Sequence, residues 1–149
     1  MASQKVTPFL WFKAGQAEEA ARFYVSLLDG SRVLDVNPMV TTFELAGQRY
    51  SALNGNPGQA FTEAFSLMVE CVDQPEVDRL WDALTANGGK PGRCGWCTDK
   101  YGVSWQVIPR ALMELLGERD PQKAARVREA MFAMNKIDVA ALRRAHAGT

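Results

Sequence analysis

The feature that most constrains this chain is a repeat of order without a repeat of letters. Residues 5–54 read as strand, helix and three strands; residues 63–109 read as strand, helix and two or three further strands. Each half therefore has one helix to cover one face of its strands. The other face must meet something else.

The local signals are specific. Residues 5–12 (KVTPFLWF) are short, apolar and rich in aromatics, which predicts a strand. Pro8 has no N–H to donate, so that strand belongs at an edge or its ladder is interrupted. Ala17, Ala20, Ala21, Tyr24, Leu27 and Leu28 form a helical stripe, with Glu18 and Glu19 where the helix dipole favours negative charge and Gly30 at the end. Strands are predicted over 32–37, 39–45 and 48–53, with Pro38 between the first two and Ala46-Gly47 turning the second into the third. The stretch 54–58 (NGNPG) is a loop. The order then restarts with a strand at 64–71 and Asp73 as N-cap of a helix carrying Pro75, Val77, Leu80, Trp81 and Leu84. Strands at 93–98 and 103–108 pair across Asp99-Lys100-Tyr101-Gly102. In the tail, 110–146, Asp120-Pro121 opens a helix with Ala124, Val127, Met131 and Met134 on one face, and Asp138 caps a short helix with Val139 and Leu142. The apolar stripe of that tail needs a partner surface.

Composition removes several function classes. A chain of 149 residues is expected to be one domain, and its 17 basic and 17 acidic residues give no net charge. That argues against nucleic acid or an anionic membrane as partner, since phosphate binding needs a basic excess or stripe. No apolar run approaches the ~20 residues needed to span a bilayer. The start of the chain lacks the basic, apolar and small-residue layout of a secretory signal, so a cytoplasmic location is expected. Cys71, Cys94 and Cys97 make no disulfide framework. Cys94-Gly-Trp-Cys97 falls in a predicted strand instead of opening a helix, and residues i and i+3 of a strand point to opposite faces. Both thiols are read as packing residues.

The stretches TPFLWF (7–12), AEEAARFYVSLL (17–28), FELAGQRYSALNG (43–55), DKYGVSWQVIP (99–109) and the tail 120–145 resemble the PhnB-like subgroup of the vicinal oxygen chelate superfamily. That superfamily is the glyoxalase, bleomycin-resistance and extradiol-dioxygenase group. The subgroup often carries the label 3-demethylubiquinone-9 3-methyltransferase. The resemblance implies an α+β fold, with two βαβββ modules forming one cupped mixed β-sheet domain, a helical C-terminal tail, and a homodimer. It does not set a reaction, because the fold hosts isomerases, lyases, dioxygenases, transferases and pure binders. A methyltransferase typically has a glycine-rich turn between its first strand and helix; here that turn is KAGQAEEA, with one glycine, so no cofactor is expected. In metal-dependent relatives, ligands lie on the first, fourth, fifth and eighth strands. The matching positions are Thr7 or Phe9, Ala52 to Asn54, Phe65 or Ser66, and Gln106, none a good ligand for a divalent ion. The one histidine, His146, lies near the C-terminus, and no metal is expected.

Strand alternation places Phe9 with Trp11, and Ser104 with Gln106 and Ile108. A groove holding Phe9, Trp11, Asn54, Ser66, Glu70, Trp96 and Gln106 would be apolar with a few polar fixers, which suits a small organic molecule. The competing reading is that the aromatics fill the sheet's concavity. Glu70 is a general base if burial raises its pKa, or a solvated edge residue if not. Arg93 and Arg110 flank the last strands and could meet an anion. The expected function is binding or sequestration of a small organic ligand. The alternative is a metal-independent lyase, isomerase or transferase.

Overall fold

Alternation leaves Leu10 and Phe12 on one side of the first strand and Phe9 and Trp11 on the other, and the first helix decides which pair is inside. In the computed structural model, which describes residues 4–56 and 58–149, Leu10 and Phe12 are buried. Met1 to Ser3, and Pro57 of the expected loop, lie outside the described residues. The chain divides into two compact units, Met1–Ala60 and Phe61–Thr149.

The first unit runs β1 (Phe9–Lys13), α1 (Ala17–Leu27), β2 (Arg32–Val36), β3 (Val40–Leu45) and β4 (Gln48–Gly55). Its sheet has the order β1-β4-β3-β2, with β1 parallel to β4 and the other pairs antiparallel. β1 takes an edge, one of the two placements Pro8 allows, and the Pro8 carbonyl still accepts from the Ser51 N–H at 3.0 Å. α1 lays its stripe on this sheet, and the fully buried Tyr24 ring meets Phe12 at 6.2 Å and Phe43 at 6.4 Å between centroids. Gln16, at the N-cap of α1, supplies no side-chain cap. The Asn54 Oδ1 on β4 accepts the Ala17 N–H instead, at 2.9 Å.

The second unit runs β5 (Ser66–Cys71), α2 (Gln74–Thr85), β6 (Lys90–Pro91), β7 (Trp96–Thr98), β8 (Ser104–Pro109), α3 (Arg110–Leu116), α4 (Pro121–Phe132) and α5 (Val139–Ala147). Its sheet has the order β5-β8-β7-β6, with β5 parallel to β8. The strands thus form two four-stranded mixed sheets, one in each unit. Asp73 caps α2 as predicted, accepting from the Glu76 N–H at 3.0 Å, and Val77, Leu80, Trp81 and Leu84 are buried. Asp99 organises the last hairpin. Its buried carboxylate accepts from the Tyr101 N–H (2.8 Å), the Val103 N–H (3.1 Å) and the Trp105 indole N–H (2.9 Å).

Three details depart from the sequence reading. The strand expected at 93–98 begins only at Trp96, because Cys94 (φ 57°) and Gly95 (φ 84°) adopt left-handed conformations that break extended backbone. The tail has a further helix, α3, too short between Pro109 and Gly117 to show a helical period. The apolar stripe of the tail finds its partner inside its own unit. Val127 packs with Ile108, Leu112, Leu115, Ile137 and Leu142, and Met131 and Met134 lie against that cluster. Among the described residues, no helix is long and apolar enough to cross a membrane.

Candidate functional site

On the second sheet, the face towards α2 holds Leu67, Cys97, Trp105 and Val107, all buried. The pairing puts Gln106 opposite Met68 on β5 and Trp96 on β7, and Ser104 opposite Ser66 and Thr98. These six residues share the face away from α2. The Gln106 amide Nε2 donates to the Ser66 Oγ at 3.0 Å. Beside them lies a hollow of about 350 Å³, lined by Glu63, Gly92, Arg93, Trp96, Cys97, Thr98 and Ser104. That volume lies within the range of small-molecule sites.

A tight turn shapes one wall. The Gly92 N–H donates to the Trp96 carbonyl at 2.8 Å, and the Trp96 N–H donates to the Arg93 carbonyl at 2.9 Å. Arg93 and Trp96 are thereby fixed at either end of the left-handed pair Cys94-Gly95. Glu63 and Arg93 are exposed and form no ion pair among the described residues, so the hollow carries one charge of each sign. Burial pushes the Cys97 thiol up to about 12, with the Asp99 carboxylate adding to the rise. The rise keeps this sulfur as a thiol at neutral pH, the state of a packing group. Burial raises Cys71 to about 12 as well.

The other expected site residues are placed differently. Phe9 and Trp11 share the face away from α1 and are 52% and 42% exposed. The Trp11 ring covers Gly55, where an added Cβ would sit 3.1 Å from it. Asn54 stands on the opposite, helix-facing side, and both ends of its amide are used: Oδ1 on the Ala17 N–H, and Nδ2 donating to the Pro38 carbonyl at 3.0 Å. Glu70 shares the face of Ser66 but lies at its far end, paired with Arg110 at 2.7 Å. Its side chain is 55% exposed, so the burial on which a general-base role depended is absent. The His146 ring donates from Nε2 to the Glu118 Oε2 at 2.7 Å in the tail, and this hydrogen bond holds the Glu118 carboxyl below its usual range. Among the described residues, no three His, Cys, Asp or Glu side chains gather in a metal-holding group.

The structure therefore brings Ser66, Trp96 and Gln106 together, and separately Phe9 and Trp11, while Asn54 and Glu70 stand apart. Sequence reasoning overlooked Glu63, Thr98 and Ser104 as lining residues. Two of them were within reach: alternation from Gln106 leads back to Ser104, and the hairpin sets Thr98 opposite it. Glu63 precedes β5 and carries no such signal.

Residues 4–108 match the model of the family described as 3-demethylubiquinone-9 3-methyltransferase. The PhnB protein of Bacillus cereus, which carries that description, is 34% identical; the alignment covers 71% of this chain and 99% of that one, with a TM-score of 0.67. A protein from Pseudomonas aeruginosa shares the fold at 20% identity, with a TM-score of 0.58 over 72% of this chain and 98% of its own. The fosfomycin resistance protein FosX from Listeria monocytogenes does so at 16% identity, with a TM-score of 0.55 over 76% and 98%. No curated protein matches the chain.

Proposed function

The chain belongs to the family described as 3-demethylubiquinone-9 3-methyltransferase, and we propose that it binds a small organic ligand on the open face of its second sheet, without a metal. The observation that carries this reading is the 350 Å³ hollow whose lining includes Trp96, Thr98 and Ser104, next to the Gln106–Ser66 pair. Trp96 supplies apolar contact and the Thr98 and Ser104 hydroxyls fix orientation, with Gln106 bonded to Ser66 beside them. Glu63 and Arg93 add opposite charges. The ligand class that suits this lining has a flat or compact apolar body with neutral or zwitterionic polar groups.

Binding is favoured over chemistry by the state of the ionisable groups. Cys97 is held as a thiol, and the Asp99 carboxylate is committed to three N–H donors. The alternative, a metal-independent enzyme, would have to use Glu63 as its base. The methyl transfer in the family's description is not carried over to this chain. The turn between β1 and α1 has the single glycine Gly15, and the first N–H of α1 is already taken by Asn54.

A thermal-shift and NMR screen with small planar and zwitterionic compounds tests the reading. Hits should shift the Trp96 and Gln106 signals. Gln106→Ala should weaken them by about 0.5–1.5 kcal/mol, roughly 2- to 12-fold. Trp96→Ala should remove most of the affinity. Hits that bind Trp96→Ala as well as the parent would move the site elsewhere.

We also propose that the working form is a homodimer. Support no longer comes from the tail stripe, which is covered within its unit; it comes from exposed Phe9, Trp11, Met39, Phe65 and Met68. Light scattering at micromolar concentration should give twice the 16.5 kDa chain mass, and a monomer would contradict the proposal.

A further inference from the structure

The matched family model ends at residue 108, before the three tail helices begin, yet the tail is bonded into the wall of the hollow. The Cys94 N–H donates to the Met134 carbonyl at 2.9 Å, and the Gly95 N–H to the Asn135 carbonyl at 2.8 Å. The Val107 N–H on β8 donates to the Gly95 carbonyl at 2.8 Å. The turn is thus clasped between the sheet and the connection from α4 to α5. Cys94 carries a side chain at φ 57°, where residues other than glycine rarely sit. Gly95 has φ 84°, and a Cβ there would lie 3.0 Å from Ile108, Ile137 and the Val107 carbonyl.

The clasp is itself seated on α2. The Gln74 amide at the start of α2 donates to the Ile137 carbonyl at 2.9 Å and accepts from the Val139 N–H at 2.8 Å. Lys136 pairs with Asp78 on the same helix at 2.9 Å. A continuous path of bonds therefore runs from α2, through residues 134–139, to the turn that carries Arg93 and Trp96.

We infer that the tail is a positioning strap for the hollow: residues 134–139, seated by Gln74, hold the Cys94-Gly95 turn in the form that presents Arg93 and Trp96 to a ligand. Its ligand arm rests on the reading of the hollow as a binding site. Gln74 is a positioning residue in this scheme, since it lines no part of the hollow.

The test uses the full chain and the variants Gln74→Ala and Gln74→Glu. Amide hydrogen exchange is read by NMR at Cys94 and Gly95, with Leu67 and Trp105 as references in the sheet. L-Phenylalanine, a flat ring with a zwitterionic head, serves as the binding probe in an NMR titration. Gln74→Ala should speed exchange at Cys94 and Gly95 by tenfold or more, leave Leu67 and Trp105 within twofold, and weaken the probe by fivefold or more. Gln74→Glu keeps an acceptor for the Val139 N–H and should recover part of both effects. Unchanged exchange at the turn, an equal rise at all four amides, or unchanged probe affinity with a loosened turn would each overturn the strap. If the parent protein does not bind the probe, the reading of the hollow fails on that arm. The exchange arm still decides the strap: a rise confined to the turn upholds it, and a uniform rise overturns it.

Discussion

Asp99→Ala will destabilise the second unit by about 2–6 kcal/mol, a large share of the stability of a chain this size. The carboxylate is 2% exposed and satisfies three N–H donors, two of them on the buried residues Val103 and Trp105. Alanine leaves those donors without partners, and each buried orphan costs about 1–3 kcal/mol. Asp99→Asn keeps one carbonyl oxygen and should recover part of the loss. Urea unfolding followed by fluorescence measures both. An Asp99→Ala midpoint within error of the parent would show that the loop holds its shape by other means.

The second large effect is in the first unit. Tyr24→Ala should cost about 3–5 kcal/mol, since a fully buried ring between Phe12 and Phe43 is lost and the cavity cannot close. At roughly 2–4 °C per kcal/mol for a chain near this length, calorimetry should record a fall of about 6–20 °C. Trp11→Ala, a change of similar size, should cost only about 1–2 kcal/mol, because 42% of Trp11 stays in contact with water. Equal losses from the two substitutions would mean that the two faces of β1 have been assigned the wrong way round.

What the sequence made legible was whatever is encoded over a few residues. The stripe of α1, the Asp73 cap with Pro75 behind it, and the Asp120-Pro121 start of α4 all appear where local spacing puts them. The site was legible only along single strands. Alternation correctly grouped Phe9 with Trp11 and Ser104 with Gln106, because it is a property of extended backbone. It had no purchase on Asn54, whose side chain is claimed by a helix start 37 residues earlier. It also failed at Cys94-Gly95, where the composition of a strand is bent into a turn by carbonyls from the tail. The tail stripe needs a partner surface, and that surface is made of side chains from other parts of the same unit. Each miss is a contact between distant positions, which no window of neighbouring residues can contain.

The borrowed cap of α1 bears on the order in which the chain can assemble. As the protein emerges from the ribosome, α1 is complete long before Asn54 exists to accept the Ala17 N–H. That donor lacks this partner until β4 has been made and has paired alongside β1. Capping of α1 therefore rests on a contact of long sequence separation, the kind that slows folding. α2 is under no such constraint, because Asp73 and Glu76 are neighbours and its start is satisfied as soon as one turn has formed. Two helices built on one plan are thus capped by different routes, one within its own first turn and one across 37 residues.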